Sequence, residues 1–219
     1  MKKRILSLAL SAAMALTMLP TGAFAAGDKG KPPVYNKATG CYEISTPDQL
    51  LYLSGSWKDG APRDGHYVLT ADIDMSGIKG FKPIASKKDK GFIGTFDGQF
   101  HAIKGLRVEY EKKYAGLFGY VGNQDDQAYI KDVALLDCYV TGQQNVGALA
   151  GVNYGTITGC VVTGEVKCLD LSNSHTAGGI CGKLKEGEGP IVGHVEDCYI
   201  NADVSAPYDA GGVAGIQDG

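Results

Sequence analysis

YAGLFG (114–119), VGALAG (146–151), TAGGICG (176–182) and DAGGVAG (209–215) are one glycine-rich phrase written four times in a chain of 219 residues. Aligned on their last glycine, Gly119, Gly151, Gly182 and Gly215 stand 32, 31 and 33 residues apart. An earlier glycine returns with them at Gly116, Gly147, Gly178 and Gly211, and the apolar residues Leu117, Leu149, Ile180 and Val213 lie between the two. Glycine inside a strand costs stability, so its return at one register marks a tight corner or a close backbone approach, with the apolar column turned inward. A period near thirty with glycine turns is the mark of stacked units, each of which buries its face only against the next.

A second phrase interleaves with the first: IKGLRV (103–108), IKDVAL (130–135), ITGCVV (157–162) and VEDCYI (195–200). Read in register it gives three apolar columns: Ile103, Ile130, Ile157 and Val195; Leu106, Val133, Cys160 and Cys198; Val108, Leu135, Val162 and Ile200. The last two columns are two residues apart, which is the strand period. No proline falls between Pro83 and Pro190, so no strand there loses a ladder donor. The expected fold is all-β: a right-handed parallel β-solenoid or β-helix of ~30-residue Gly-rich repeats over 93–219, capped at its N-terminus by a unit with one short α-helix. The lengths between phrases vary, which places the extra residues in loops, with KLKEGEGP (183–190) the most polar of them. The array is expected to continue past Gly219.

The N-terminus supplies a compartment. Lys2, Lys3 and Arg4 precede an apolar run from Ile5 to Leu19, and Ala23, Phe24 and Ala25 follow. Basic flank, apolar core and AxA site make a Sec-type signal peptide over 1–25, cleaved after Ala25. No other segment approaches the ~20 apolar residues of a membrane span, so the mature chain is read as exported and not membrane-spanning. Residues 26–40 are expected to form a flexible mature N-terminus, and 41–92 the cap and entry coil. Within that cap STPDQLLYL (45–53) writes a helix start: Thr46 as N-cap, Pro47 in the first turn, and Gln49 placed to close a capping box. Trp57 is assigned to packing in the same unit.

Charge narrows the partners. The chain carries 21 Lys+Arg against 24 Asp+Glu, and loss of a basic leader leaves it more acidic still. That balance excludes a phosphate-backbone binder, so no nucleic acid partner is expected. Asp72, Asp74 and Asp97 with His101 form the most suggestive polar group. Paired carboxylates can share acid–base work or hold Ca²⁺, but aspartates beside DG turns more often bond backbone amides, and the three are kept only as weak cation candidates. There is no CxxC pair, HExxH helix, GxSxG elbow, calcium nonapeptide or GK[ST] phosphate loop. No catalytic residue, metal or cofactor is assigned on these grounds. Six cysteines in an exported chain suggest disulfides, yet Cys160 and Cys198 share a column with Leu106 and Val133, which favours free buried thiols.

YEISTPDQLLYL, LTADIDMSG, FKPI, GTFDGQFHAIKGL and YAGLFGYV together resemble the bacterial surface proteins that carry GLUG motifs. The likeness covers 41–219, with one departure: Phe100 stands where that family tends to write glycine in DGQGH. The resemblance implies a β-solenoid module of a secreted or cell-surface protein, as in adhesin-like proteins and non-catalytic regions of immunoglobulin A peptidases. The expected function is non-catalytic, either adhesion to a host or cell-surface protein or glycan, or structural spacing. The alternative is part of a surface enzyme, a peptidase with its catalytic domain beyond residue 219 or a carbohydrate-active β-helix.

Overall fold

The computed structural model describes residues 30–55, 61–171, 175–187 and 191–218; the leader, its cleavage site, Trp57 and the end of the 183–190 loop lie outside the described residues. Its strands are short, and nearly every one pairs in parallel with a strand one repeat further along the chain. Four sheets result among the described residues. The first runs Val34–Asn36, Cys41–Ile44, His66–Leu69, Thr95–Asp97, Tyr129–Lys131, Thr156–Thr158 and His194–Glu196. The second joins Ile73–Asp74, Ala102–Lys104, Ala134–Gly142, Val161–Cys168 and Tyr199–Ser205, with Arg107–Tyr110 pairing the later half of Ala134–Gly142. The third holds Val146–Gly147, Thr176–Gly178 and Asp209–Gly211, and the fourth Phe118–Val121, Ala150–Asn153, Cys181–Lys185 and Ala214–Asp218. From Tyr129 onward the chain visits first, second, third and fourth sheet in that order, then returns to the first one level on. All-β with parallel sheets is therefore the observed class.

Two left-handed corners recur along the chain, the first in four levels and the second in three, and their residue types follow from backbone geometry. At the first, between the first and second sheets, Phe100 (φ 64°), Asp132 (φ 54°), Gly159 (φ 64°) and Asp197 (φ 51°) stand one above another. The second, within the second sheet, is made by Gly105 (φ 66°), Asp137 (φ 51°) and Gly164 (φ 129°). Only glycine enters this region freely, and aspartate tolerates it better than most residues, hence the alternation of Gly and Asp. Phe100 occupies a conformation in which glycine is at ease, the residue the resembling proteins write there.

The corners also correct the alignment of IKGLRV with IKDVAL, in all three columns. Ile130 pairs with Ile157 and Ile157 with Val195 as read, but the partner of Ile130 on the preceding level is Phe96. Ile103 pairs instead with Ile73 and Leu135, and Val108 with Val140. IKGLRV and IKDVAL share letters because each writes a strand, a left-handed residue and another strand, and the levels beginning at Thr95, Tyr129 and Thr156 each use that device twice.

Inward-facing residues form one continuous core from Ile44 to Cys181. Leu117, Leu149 and Ile180 are fully buried, whereas Val213 is 43% exposed, because no level stacks over the last one described. At the other end an aromatic file runs through Tyr35, Tyr42, Tyr67, Phe92 and Phe118, with ring centroids 4.9 to 6.1 Å apart. The helix Pro47–Leu53 buries Leu50, Leu51 and Leu53 against this end. Its start is a complete capping box: Thr46 Oγ1 accepts from the Gln49 amide at 3.4 Å, and Gln49 Oε1 accepts from the Thr46 amide at 3.1 Å. Part of the segment expected to be a flexible N-terminus is a hairpin arm, Val34–Asn36 paired antiparallel with Cys41–Ile44. Asn36 holds its turn by accepting from the Ala38 amide, Gly40 supplies the left-handed residue, and Tyr35 gains the Tyr42 ring as a neighbour.

Candidate functional site

The carboxylates singled out from the sequence are distributed along the chain's turns rather than gathered. Asp72 Oδ1 accepts from the Ala102 amide at 2.9 Å and faces His101 Nδ1 at 3.1 Å, tying the entry turn to the next level. Asp74 accepts from the amide and hydroxyl of Ser76, which hold its carboxyl below the usual range. Asp97 accepts from the Gln99 amide at 2.9 Å and pairs with Lys131 Nζ at 2.8 Å on the level above. Burial raises the neighbouring Asp132 carboxyl, with the Asp97 charge adding to it. Among the described residues no three His, Cys, Asp or Glu side chains converge as a metal would need. These groups close turns and link levels. The glycines of the first three repeated phrases likewise lie against neighbouring backbone, not in a cleft.

Concavity lies elsewhere, on the side where the second sheet hands over to the third. Residues 111–114, 143–145 and 169–171 all stand on this side, at the ends of the second-sheet strands. Together with 80–87 and Ser54–Gly55 they enclose a groove of about 1490 Å³. The strand ends Glu109–Tyr110 and, on the next level, Tyr139, Thr141 and Gly142 line it. The opposite wall is pinned by backbone: the Lys82 amide donates to Ser54 Oγ at 2.8 Å and the Gly55 amide to the Lys82 carbonyl at 3.2 Å. The loops are tied in the same way, Gln143 donating to the Lys112 carbonyl at 3.1 Å and Leu169 to that of Gly142 at 2.8 Å.

Charge in the groove is unevenly satisfied. Glu109 is held by Arg107 at 3.2 Å, whose guanidinium also lies over the Tyr139 ring at 4.3 Å, and Asp170 pairs with His175 at 3.5 Å. Lys82, Lys87, Lys112 and Lys113 are exposed and form no ion pair among the described residues. None of these residues belongs to a sequence motif. The only signal that could have found them is that KKY follows a strand whose neighbours turn at once.

A second, smaller hollow of about 560 Å³ sits where the fourth sheet returns to the first, lined by Arg63, Lys88, Asp89, Tyr154 and residues 123–126. Asn123 already caps its own turn there, accepting from the Asp125 and Asp126 amides.

All six cysteines are free thiols. Cys138 and Cys181 are buried, and burial pushes each up to about 12. Burial also raises Cys160, while the hydrogen bond from its thiol lowers its neighbour Cys198, which is only half-buried. Because the thiolate is the reactive species, alkylation of the native protein at mildly alkaline pH should modify Cys41 and Cys198 first. Cys138 and Cys181 should react only on unfolding. Peptide mapping by mass spectrometry checks this, and labelling of Cys181 as fast as Cys41 would contradict it.

No family model matches the chain. Halomucin of Haloquadratum walsbyi is 32% identical over 151 residues, which is 64% of this chain and 2% of halomucin. A protein of Evansella cellulosilytica named as a Gly-rich membrane protein is 32% identical over 101 residues, 42% of this chain and 11% of that protein. The chain thus spans a small fraction of both relatives. Among solved structures, a Bacteroides ovatus protein named as an immunoglobulin A1 protease superposes with a TM-score of 0.61 over 82% of this chain and 53% of that one, at 22% identity. At that identity the likeness is one of fold. Among the described residues no helix is long and apolar enough to cross a membrane.

Proposed function

We propose that the chain is an exported, non-catalytic module of a bacterial surface or secreted protein, with a binding or spacing role. In this reading its four parallel ladders are the faces of a right-handed β-solenoid, the usual hand of parallel crossovers. Residues 1–25 form the signal peptide, 41–92 the cap and entry coil, and 93–219 the repeats. The observation that carries the proposal is the order of strand visits, the same four ladders in the same sequence at each level from Tyr129 onward, with pairing one repeat apart. A stack of this kind makes an elongated body whose sides are free to carry loops. Support comes also from the relatives, which are named as a mucin and a Gly-rich membrane protein and of which the chain matches only a small part.

The test is export. Expressed with its leader in a bacterium, the protein should leave the cytosol with a mature N-terminus at Ala26, read by intact mass, and should be digested when protease is added outside intact cells. Retention in the cytosol with Met1 to Ala25 uncleaved would sink the reading.

A further inference from the structure

We propose that the groove between the second and third sheets binds an acidic polysaccharide, one whose sugars carry carboxylate or sulfate groups. Its size points to a polymer segment, since about 1490 Å³ exceeds the ~300–1,000 Å³ of ordinary small-ligand pockets. Its charge points to an anion. The whole chain has a formal net charge of −3, yet four lysine ammonium groups that form no ion pair among the described residues line this one groove. Of the three acids there, Glu109 is already engaged by Arg107 and Asp170 faces His175 Nδ1 at 3.5 Å, and neither bonds one of the four lysines.

The kind of cation matters as well. Lysine is a compact, hydrated charge with three rotatable donors, and unlike arginine it imposes no planar, bidentate geometry. Four such groups on two loops, Lys82 and Lys87 on one and Lys112 and Lys113 on the other, match charges repeated along a chain better than one fixed anion. Tyr110, Tyr114 and Tyr139 also line the groove. Their rings offer apolar surface with a polar tip, which suits sugar rings that are apolar on their faces and polar at their edges. An acidic polypeptide would satisfy the lysines but has no repeated ring to lay against the tyrosines.

This names a ligand class for the surface module and rests on that reading, but it is tested on purified protein, so failure to bind and failure to export are separate results. Oligomers of polygalacturonate and dextran sulfate, with neutral dextran and poly-glutamate for comparison, are titrated by calorimetry. Either acidic glycan should bind, and more weakly as salt is raised. The double variant K112E/K113E should lose at least ~tenfold in affinity, equivalent to about 1.4 kcal/mol, with an unchanged circular dichroism spectrum. K37E/K88E, the same charge change outside the groove, should bind as the parent does. The proposal is overturned by absence of binding to both acidic glycans, by equal affinity for neutral dextran, by poly-glutamate binding as tightly as the glycans, or by an equal loss in both double variants.

Discussion

Gly147→Val should destabilise the protein by about 3 kcal/mol or more, the upper end of what overpacking costs. A Cβ at this position would stand 2.3 Å from the Ala150 carbonyl oxygen and 2.4 Å from Cys181 Cα. Both contacts are backbone atoms held in ladders on two levels, so neither can swing aside as a side-chain tip would. The sign is decided by magnitude. Removing glycine restricts the unfolded chain and on that account should stabilise by about 0.4–1 kcal/mol, and the native clash has to exceed this several-fold. Gly212 provides the contrast inside the same repeated phrase. A Cβ there meets nothing within 4 Å, and its φ lies outside the left-handed range. Gly212→Ala should stay within about 0.5 kcal/mol of the parent. Midpoints of chemical denaturation for the two variants give the comparison, and a Gly147→Val loss no larger than that of Gly212→Ala would show that levels do not approach closely at this corner.

The same pair explains how far the fold was legible. Gly116, Gly147 and Gly178 recur because each faces backbone of a neighbouring level or corner at under 3 Å, and that constraint leaves a visible mark in one sequence. A capping box is equally local: Thr46 and Gln49 are three residues apart, and the bonds they make are between themselves. Register was less legible. The alignment of Ile103 with Ile130 went one strand astray because a left-handed residue follows a short apolar strand at both corners of a level, and letters alone do not say which corner is meant. The hairpin arm Val34–Asn36 was missed although NKATG is a turn signal, since three residues of strand between Pro33 and the turn give no period to count.

The groove was not legible at all, and the reason is geometric. Lys82 and Lys112 are separated by a whole level, and stacking brings their loops to the same side. Tyr110, Tyr114 and Tyr139 edge the β core: Tyr110 packs on it and Tyr114 lies edge-on to Tyr120 with centroids 4.6 Å apart. Their second role follows only from which loops stand opposite. In a stack of levels, the interior is written in the repeat, while any site on its sides is written in the residues that fail to repeat.

Phe118→Ala carries the second large effect. Phe118 pairs with Ala150, which pairs with Cys181, which pairs with Ala214, so one column of the fourth sheet changes from a large side chain to small ones. What fills the space beside Phe118 are the rings of Phe92, at 5.1 Å, and Phe96, edge-on at 5.4 Å, and all three are buried. Alanine at 118 would remove one member of this cluster and leave a void between levels that are fixed by their ladders, so the neighbouring rings have little room to close it. The expected cost is about 3–5 kcal/mol, as for other buried Phe→Ala changes, a large part of the ~5–15 kcal/mol by which a domain is stable. Cys181→Ala, in the same column two levels on, removes one sulfur from a site whose column neighbours are already alanines, and should cost about 1 kcal/mol, near the centre of the mutational range. Denaturant midpoints measured on both variants decide it. A Phe118→Ala cost no greater than that of Cys181→Ala would mean that the aromatic cluster, and with it the change of packing between the capped end and the later levels, contributes little to holding the stack together.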